Sequence, residues 1–299
     1  MFPSMFGVIL PHRWLYASAD SIVSYARLVE ELGFKHVWVT DHVGVPPSHL
    51  ERGHIFYEAL TTLSFVGGVV KGLDLGTCVL QASIRNPILT AKQLATLDRL
   101  SKGRVILGLG TGWIREEVES FGVRYDERIA YLKEFVKVLR LLWTKRGVLS
   151  YSGRFFRFEN LIFEPKPLKK IPILIGGNRI SSIRMASRIG DGWIPWAVPA
   201  SLIETGRRLL GGKPIYLATP INLEPTERRY VGALGEEHLI IAGSERDVMN
   251  QLDNYLNAGV KEFVLSFRDI RLFKDPKMGK ILEQTKRFAK EIMPSFLKA

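Results

Sequence analysis

The apolar run HVWVT (His36–Thr40) is followed at once by Asp41 and His42. An imidazole titrates near neutral pH, so a histidine placed just past a strand can take or give a proton there. Asp41 could orient it or accept its hydrogen bond; equally, Asp41 could cap a loop and His42 lie on the surface. Two glycine clusters also follow apolar runs: Gly108-Leu109-Gly110-Thr111-Gly112, then Gly176-Gly177-Asn178-Arg179. Glycine lets a planar ring or a phosphate approach the backbone, and a helix N-terminus behind it favours an anion. Either cluster alone is also explained by a tight strand-to-helix turn. Cys78 has no obvious activating neighbour and reads as a small buried residue rather than a nucleophile. His42, His49 and His54 match no helical i, i+4 pair or zinc spacing, and Pro46-Pro47 extends the chain between them, so no metal site is expected.

The elements that must position these residues alternate. Val- and Ile-rich runs predict strands over Phe6–Leu10, His36–Thr40, Leu73–Leu80, Arg104–Leu109, Ile171–Ile175, Gly192–Trp196, Ile215–Thr219 and Glu262–Phe267. Helical periodicity falls between them: over Ala19–Leu32, stopped by Gly33, then over Tyr57–Val70, Leu89–Leu100, Asp126–Trp143 and Ser181–Ile189. Ser244-Glu245-Arg246-Asp247 is a capping box opening a helix to Ala258, and Lys277–Ile292 is a terminal helix. Val148–Phe158 reads as a hairpin around Ser152-Gly153. The apolar run His238–Ala242 has no clear place. Eight strands interleaved with helices predict a (β/α)8 barrel, with a helix–hairpin insertion over about residues 124–170 between strands four and five, and one domain over residues 1–299. A doubly wound dinucleotide fold is excluded. Its fingerprint belongs on the first strand-to-helix turn, which here is Pro11-His12-Arg13-Trp14, and the later glycines are spaced G-x-G-x-G rather than G-x-G-x-x-G.

Composition agrees with a globular chain: 299 residues, 46% hydrophobic and 24% charged. The single cysteine excludes a disulfide framework. Met1–Pro11 lacks the basic stretch of a signal peptide, and no apolar segment approaches the ~20 residues of a membrane span, so a cytoplasmic protein is expected. The net charge of +12 is dispersed, with Lys166, Lys169 and Lys170 the densest group. It reads as a solvated surface rather than a nucleic-acid site, and leaves an anionic small ligand open.

Taken together, ARLVEELGFKHVWVTDHV, LGTCVLQASIRNPILTAKQLATLDRLSKGRVILGLGTGW, ERIAYLKEFVKVLRLLW with YSGRFFRF, and PKPLKKIPILIGGN with ASRIGDGWIP resemble the bacterial-luciferase-like flavin and deazaflavin oxidoreductases over nearly the whole chain. LGTCVL resembles in particular the coenzyme F420-dependent branch, which includes F420-dependent glucose-6-phosphate dehydrogenase. The resemblance implies a homodimeric barrel enzyme with a deazaflavin in its mouth, resting on a bulge made by a cis peptide between Cys78 and Val79. It implies Asp41 and His42 as the catalytic pair, with His42 handling the proton. Gly110, Thr111 and Gly112 would hold the ring and ribityl chain, and Gly176, Gly177 and Asn178 the phosphate. The expected reaction is hydride transfer between F420 and an organic small molecule. An FMN-dependent monooxygenase and a barrel that only binds a cofactor are the alternatives. One departure stands out: Trp113 occupies the position of the glutamate that follows the glycine turn in glucose-6-phosphate dehydrogenases, which argues against sugar-phosphate oxidation. Trp14, Trp113 and Trp196 would line an aromatic substrate pocket, or simply pack.

Overall fold

The structure is a computed structural model that describes residues 5–52, 55–225, 228–231, 237–267 and 278–296; His54 and Lys277 lie outside them. Parallel strands and helices alternate: β1 (Phe6–Ile9), α1 (Ala19–Glu31), β2 (His36–Val39), α2 (Ala59–Val69), β3 (Asp74–Gln81), α3 (Pro87–Leu100) and β4 (Val105–Gly110). A short α4 (Arg115–Ser120), the long α5 (Arg128–Thr144) and an antiparallel hairpin, β5 (Val148–Ser152) and β6 (Arg157–Ile162), precede β7 (Ile173–Gly176). The chain continues through α6 (Ile180–Ile189), β8 (Gly192–Ile194), α7 (Ala200–Leu210) and β9 (Tyr216–Asn222). A small pair, β10 (Arg229–Val231) and β11 (Glu237–Leu239), leads to β12 (Ile241–Ala242), α8 (Glu245–Ala258), β13 (Glu262–Ser266) and α9 (Met278–Arg287).

The main sheet runs β12-β9-β13-β1-β2-β3-β4-β7-β8. Parallel bridges from Trp193 to Ile215 and from Trp196 to Ala218 join β8 to β9 and close the ring. The inner cluster takes one residue from each of the strands in that ring: Ile9, Trp38, Cys78, Ile106, Leu174, Ile194, Ala218 and Val264. A second, larger core lies between the strands and the helices outside them. This is the (β/α)8 barrel that the alternation predicts.

Large and small residues alternate around the interior. Trp38 is fully buried, and its register partner on β3 is Gly76, where an added Cβ would collide with the indole. On the other side Gly7 is registered with His36 and leaves room for the imidazole. Trp38 Nε1 donates to His36 Nδ1 at 2.5 Å, so the proton sits on Nε2, which faces Glu262 Oε2 at 3.3 Å. Lys35 Nζ reaches the other oxygen of Glu262 at 2.5 Å. His36 and Glu262 start β2 and β13 and, with Lys35 just before β2, fill the N-terminal end of the barrel, leaving the C-terminal end for a site.

Three features add to the sequence expectations. α7 buries Ile203, Gly206 and Leu210, a sparse stripe that Gly206 completes by letting Trp193 pack against the helix. α4 is a six-residue helix after the first glycine cluster, at the end of β4. The unplaced His238–Ala242 run divides between β11, antiparallel to β10, and β12, parallel to the end of β9. Gly76→Ala should destabilise the fold by about 1–3 kcal/mol through overpacking against Trp38. Urea denaturation of a double-mutant cycle should show that cost shrinking in a Trp38→Leu background.

Candidate active site

The Cys78–Val79 peptide is cis, and the pairing of β3 with β4 shifts register between Thr77 and Leu80. The bulge turns the Val79 side chain towards the neighbouring strand ends. An added Cβ on Gly110 would lie 2.5 Å from Val79 Cγ2, and one on Gly176 would lie 2.7 Å from Val79 Cγ1. Both glycines are therefore required by Val79, before any ligand is considered. Gly112 and Gly177 differ: they have φ of +79° and +122°, in the region that favours glycine. Thr111 is held through its carbonyl, which accepts from the Ser83 hydroxyl. Burial pushes the Cys78 thiol up to about 12, so it stays protonated and unreactive.

His42 follows β2 and is 13% exposed, while the Glu117 side chain beside it is 0% exposed. His42 Nδ1 lies 2.8 Å from Glu117 Oε2, and a carboxylate can only accept, so Nδ1 carries the proton. Glu117 also accepts from Val43 N at 2.7 Å, Gly44 N at 3.2 Å and Gln81 Nε2 at 3.1 Å. Burial by itself would raise the Glu117 carboxyl, but the His42 hydrogen bond and charge, with the Val43 and Gln81 donors, hold it below its ordinary value. The imidazole is thereby held with Nδ1 on Glu117, which leaves Nε2 as its other nitrogen for proton exchange.

Asp41 does not perform the orienting role expected of it. Its carboxylate is 0% exposed and pairs with Arg85 at 2.7 Å, and it accepts from Gln81 N at 2.9 Å. Arg85 is shared with Glu58 at 2.8 Å. Asp41 thus ties the β2 and β3 ends together, and the acid that touches His42 comes from α4. Glu117 lies four residues beyond Trp113, in the first turn of α4. The signal for it is the acidic first turn of a short helix, Glu116-Glu117, behind the glycines.

These strand ends surround a cavity of about 1360 Å³, large for a drug-sized ligand alone. Asp41, His42, Cys78, Val79, Gly110, Thr111, Gly112, Gly176, Gly177, Asn178, Trp113 and Trp196 all line it. Trp14 does not. It sits with φ of 72° in the loop after β1, and its neighbour Arg13 faces the cavity instead. Trp113 packs edge-on against His42, with ring centroids 5.8 Å apart, and also meets His49 at 5.2 Å. Among the described residues no group of acids, histidines and cysteine is arranged to hold a metal. Asn178 is already engaged: its Oδ1 accepts from Trp196 N at 3.0 Å and its Nδ2 donates to Trp196 O at 2.8 Å. Its carboxamide therefore positions the Trp196 wall rather than standing free for a phosphate. Five cations also line the cavity, Arg128 and Lys133 from α5 and Arg179, Arg184 and Arg188 around α6. Only Arg179 stood out in the sequence, because the others are scattered along the chain and converge only when α5 and α6 pack on the same rim.

The fold and site define a (β/α)8 barrel with a cofactor-sized cavity at the C-terminal ends of its strands. The luciferase-like monooxygenase family model matches residues 5–210, and the chain belongs to that family. An F420-dependent hydroxymycolic acid dehydrogenase of Mycobacterium tuberculosis is 35% identical over 195 residues, 64% of this chain and 52% of the relative. An F420-dependent glucose-6-phosphate dehydrogenase of Amycolatopsis mediterranei is 36% identical over 177 residues, 58% of this chain and 52% of the relative. The chain thus aligns with about half the length of these relatives. In solved structures the fold is similar to an F420-dependent secondary alcohol dehydrogenase in complex with an F420-acetone adduct, at TM-score 0.78 and 19% identity over 97% of this chain and 98% of that one. It is also similar to an FMN complex of a type II Baeyer–Villiger monooxygenase from Pseudomonas putida, at TM-score 0.74 and 14% identity over 98% and 99%.

The buried carboxylate yields a prediction with a definite sign. A carboxyl held below its ordinary value adds stability that is in place above the unfolded pKa of ~4.3 and is lost as pH falls through the lower folded value. Glu117→Gln should cost about 2 kcal/mol at pH 7, because an amide cannot accept from all four donors. Denaturant unfolding should show the gap to wild type narrowing below about pH 4, where the wild-type carboxyl takes up its proton.

Proposed function

We propose that this protein is an oxidoreductase that transfers a hydride between coenzyme F420 and an organic small molecule, with the whole chain acting as one luciferase-like domain in a cytoplasmic homodimer. The observation that carries this reading is the row of cations on α5 and α6 beside the glycine turns. FMN ends in a single phosphate, whereas F420 continues from its phosphate into a string of carboxylates, and five cations suit the longer anion. The F420-dependent relatives point the same way.

The residues present fit such a group. Val79 and the backbone at Gly110, Thr111 and Gly112 would support the ring, with Gly176 and Gly177 receiving the phosphate. Arg179, Arg184 and Arg188 would neutralise the tail. Gln81 Oε1 is a buried acceptor on this wall with no hydrogen-bond partner among the described residues, which provides a place for a ring N–H. When bound, F420 supplies carbon-5 as hydride donor or acceptor. His42 handles the accompanying proton at Nε2 while Glu117 holds the ring through Nδ1. Asp41 acts one step back, by fixing Gln81 and Arg85. Trp113, Trp196 and Phe56 exclude water and present apolar faces to a substrate.

Fluorescence titration tests the cofactor. F420 should bind at micromolar or better, and FMN binding without F420 binding would reject the reading. Arg184→Gln with Arg188→Gln should weaken F420 by roughly tenfold at low salt, less at high salt, and leave FMN almost unchanged. His42→Ala should lower turnover by about 10²–10⁴-fold while retaining F420 affinity. Undiminished turnover in that variant would remove His42 from the chemistry. Sedimentation of the purified chain should show a dimer.

A further inference from the structure

The loop after β1 presents a guanidinium that the proposed chemistry does not use. His12 fixes that loop: its Nδ1–H donates to Leu10 O at 2.8 Å, and its Nε2 accepts from Thr40 N at 3.0 Å. Arg13 forms an antiparallel bridge with Phe56, flanked by Trp14 N donating to Ile55 O and Tyr57 N donating to His12 O, both at 2.9 Å. The backbone around Arg13 is therefore set on both sides, and its side chain faces the cavity.

Arg13 Cζ lies 5.9 Å from the centre of the Phe56 ring, and the same ring meets His42 at 5.0 Å. The guanidinium and the proton-handling imidazole thus flank one aromatic wall. Among the described residues no acid neutralises Arg13: the groups that favour its charge are Tyr16, Cys78 and Tyr230, set against the cost of burial. Arg85, the other arginine at these strand ends, has two carboxylates. An arginine cannot shed its proton, so five N–H donors remain against a half-enclosed cavity. Such a fork matches a carboxylate bidentately.

A cofactor tail held by Arg179, Arg184 and Arg188 would lie across the ring from this group. In the ring β1-β2-β3-β4-β7-β8-β9-β13, β1 stands diametrically opposite β7, after which Arg179, Arg184 and Arg188 follow. The cavity therefore carries cations on two separate sides. Between them lie Phe56, Trp113 and Trp196.

We infer that Arg13 is a substrate-binding residue that recognises a carboxylate, and that the substrate is a small organic acid with a planar or apolar body. This inference rests on the reading that the opposite side holds F420. The shared chemistry is an anionic oxygen, which a substrate or the cofactor ring could supply, and the experiment separates the two.

Isothermal titration of the F420-loaded protein with benzoate and with its neutral isostere benzamide tests the inference. Benzoate should bind at least tenfold more tightly. Arg13→Gln should abolish that preference while F420 affinity stays within twofold, and Arg13→Lys should keep part of it. The Arg184→Gln, Arg188→Gln variant should keep it in full. Benzoate binding no tighter than benzamide overturns the inference, and that comparison needs no variant. A preference that survives in Arg13→Gln also overturns it, as does loss of F420 binding in Arg13→Gln with the preference intact, which would give Arg13 to the cofactor. If F420 does not bind, the same pair is titrated into the cofactor-free protein. A benzoate preference that depends on Arg13 there sustains this inference while the proposed function falls.

Discussion

The mouth of this barrel depends on the space that the Val79 side chain occupies. The bulge in β3 carries it to the neighbouring strand ends, and Gly110 on β4 and Gly176 on β7 have no side chain because Val79 is already there. Three consecutive strands of the ring are thereby joined at one apolar point. The floor of the cavity follows from this packing, and so does the position of the two turns that continue from β4 and β7. The glycine-rich turns, which as sequence leave a ligand and a tight turn both open, are first a solution to a packing problem.

Buried charge then organises the wall next to that floor. Glu117 and Asp41 are both fully enclosed acids, a placement that is costly unless hydrogen bonds replace water. Each has them, and each does something different with them. Asp41 spends its oxygens on Arg85 and the Gln81 backbone, closing β2 against β3. Glu117 gathers the loop after β2 around itself and leaves the imidazole of His42 with one nitrogen for the cavity. Gln81 bridges the two acids, donating to Asp41 O at 2.7 Å and to Glu117 Oε2 at 3.1 Å. A change at any of the three would move His42 by way of the others.

Charge of the opposite sign is distributed around the rim. The cations of α5 and α6 lie on one side and Arg13 on the other, with aromatic rings between them. A molecule that satisfies both sides has an extended anionic portion, a planar middle and a partner that carries its own anion.

The sequence by itself determined the barrel, since alternating Val- and Ile-rich runs and helical stripes are local patterns that need no partner to be recognised. It also placed His42 and the glycine turns at strand ends, and the resemblance implied the Cys78–Val79 bulge, which lies within β3. Only the tertiary structure decided which acid touches His42. Asp41 is adjacent in the chain but points to Arg85, while Glu117 arrives from a helix 75 residues away. It alone decided that Arg13 rather than Trp14 faces the cavity, through a backbone bridge to Phe56. It alone gathered Arg128, Lys133, Arg184 and Arg188 on one rim. Periodicity reports which face of an element is buried, but not which faces of distant elements meet, and side-chain chemistry at a site is set by that meeting.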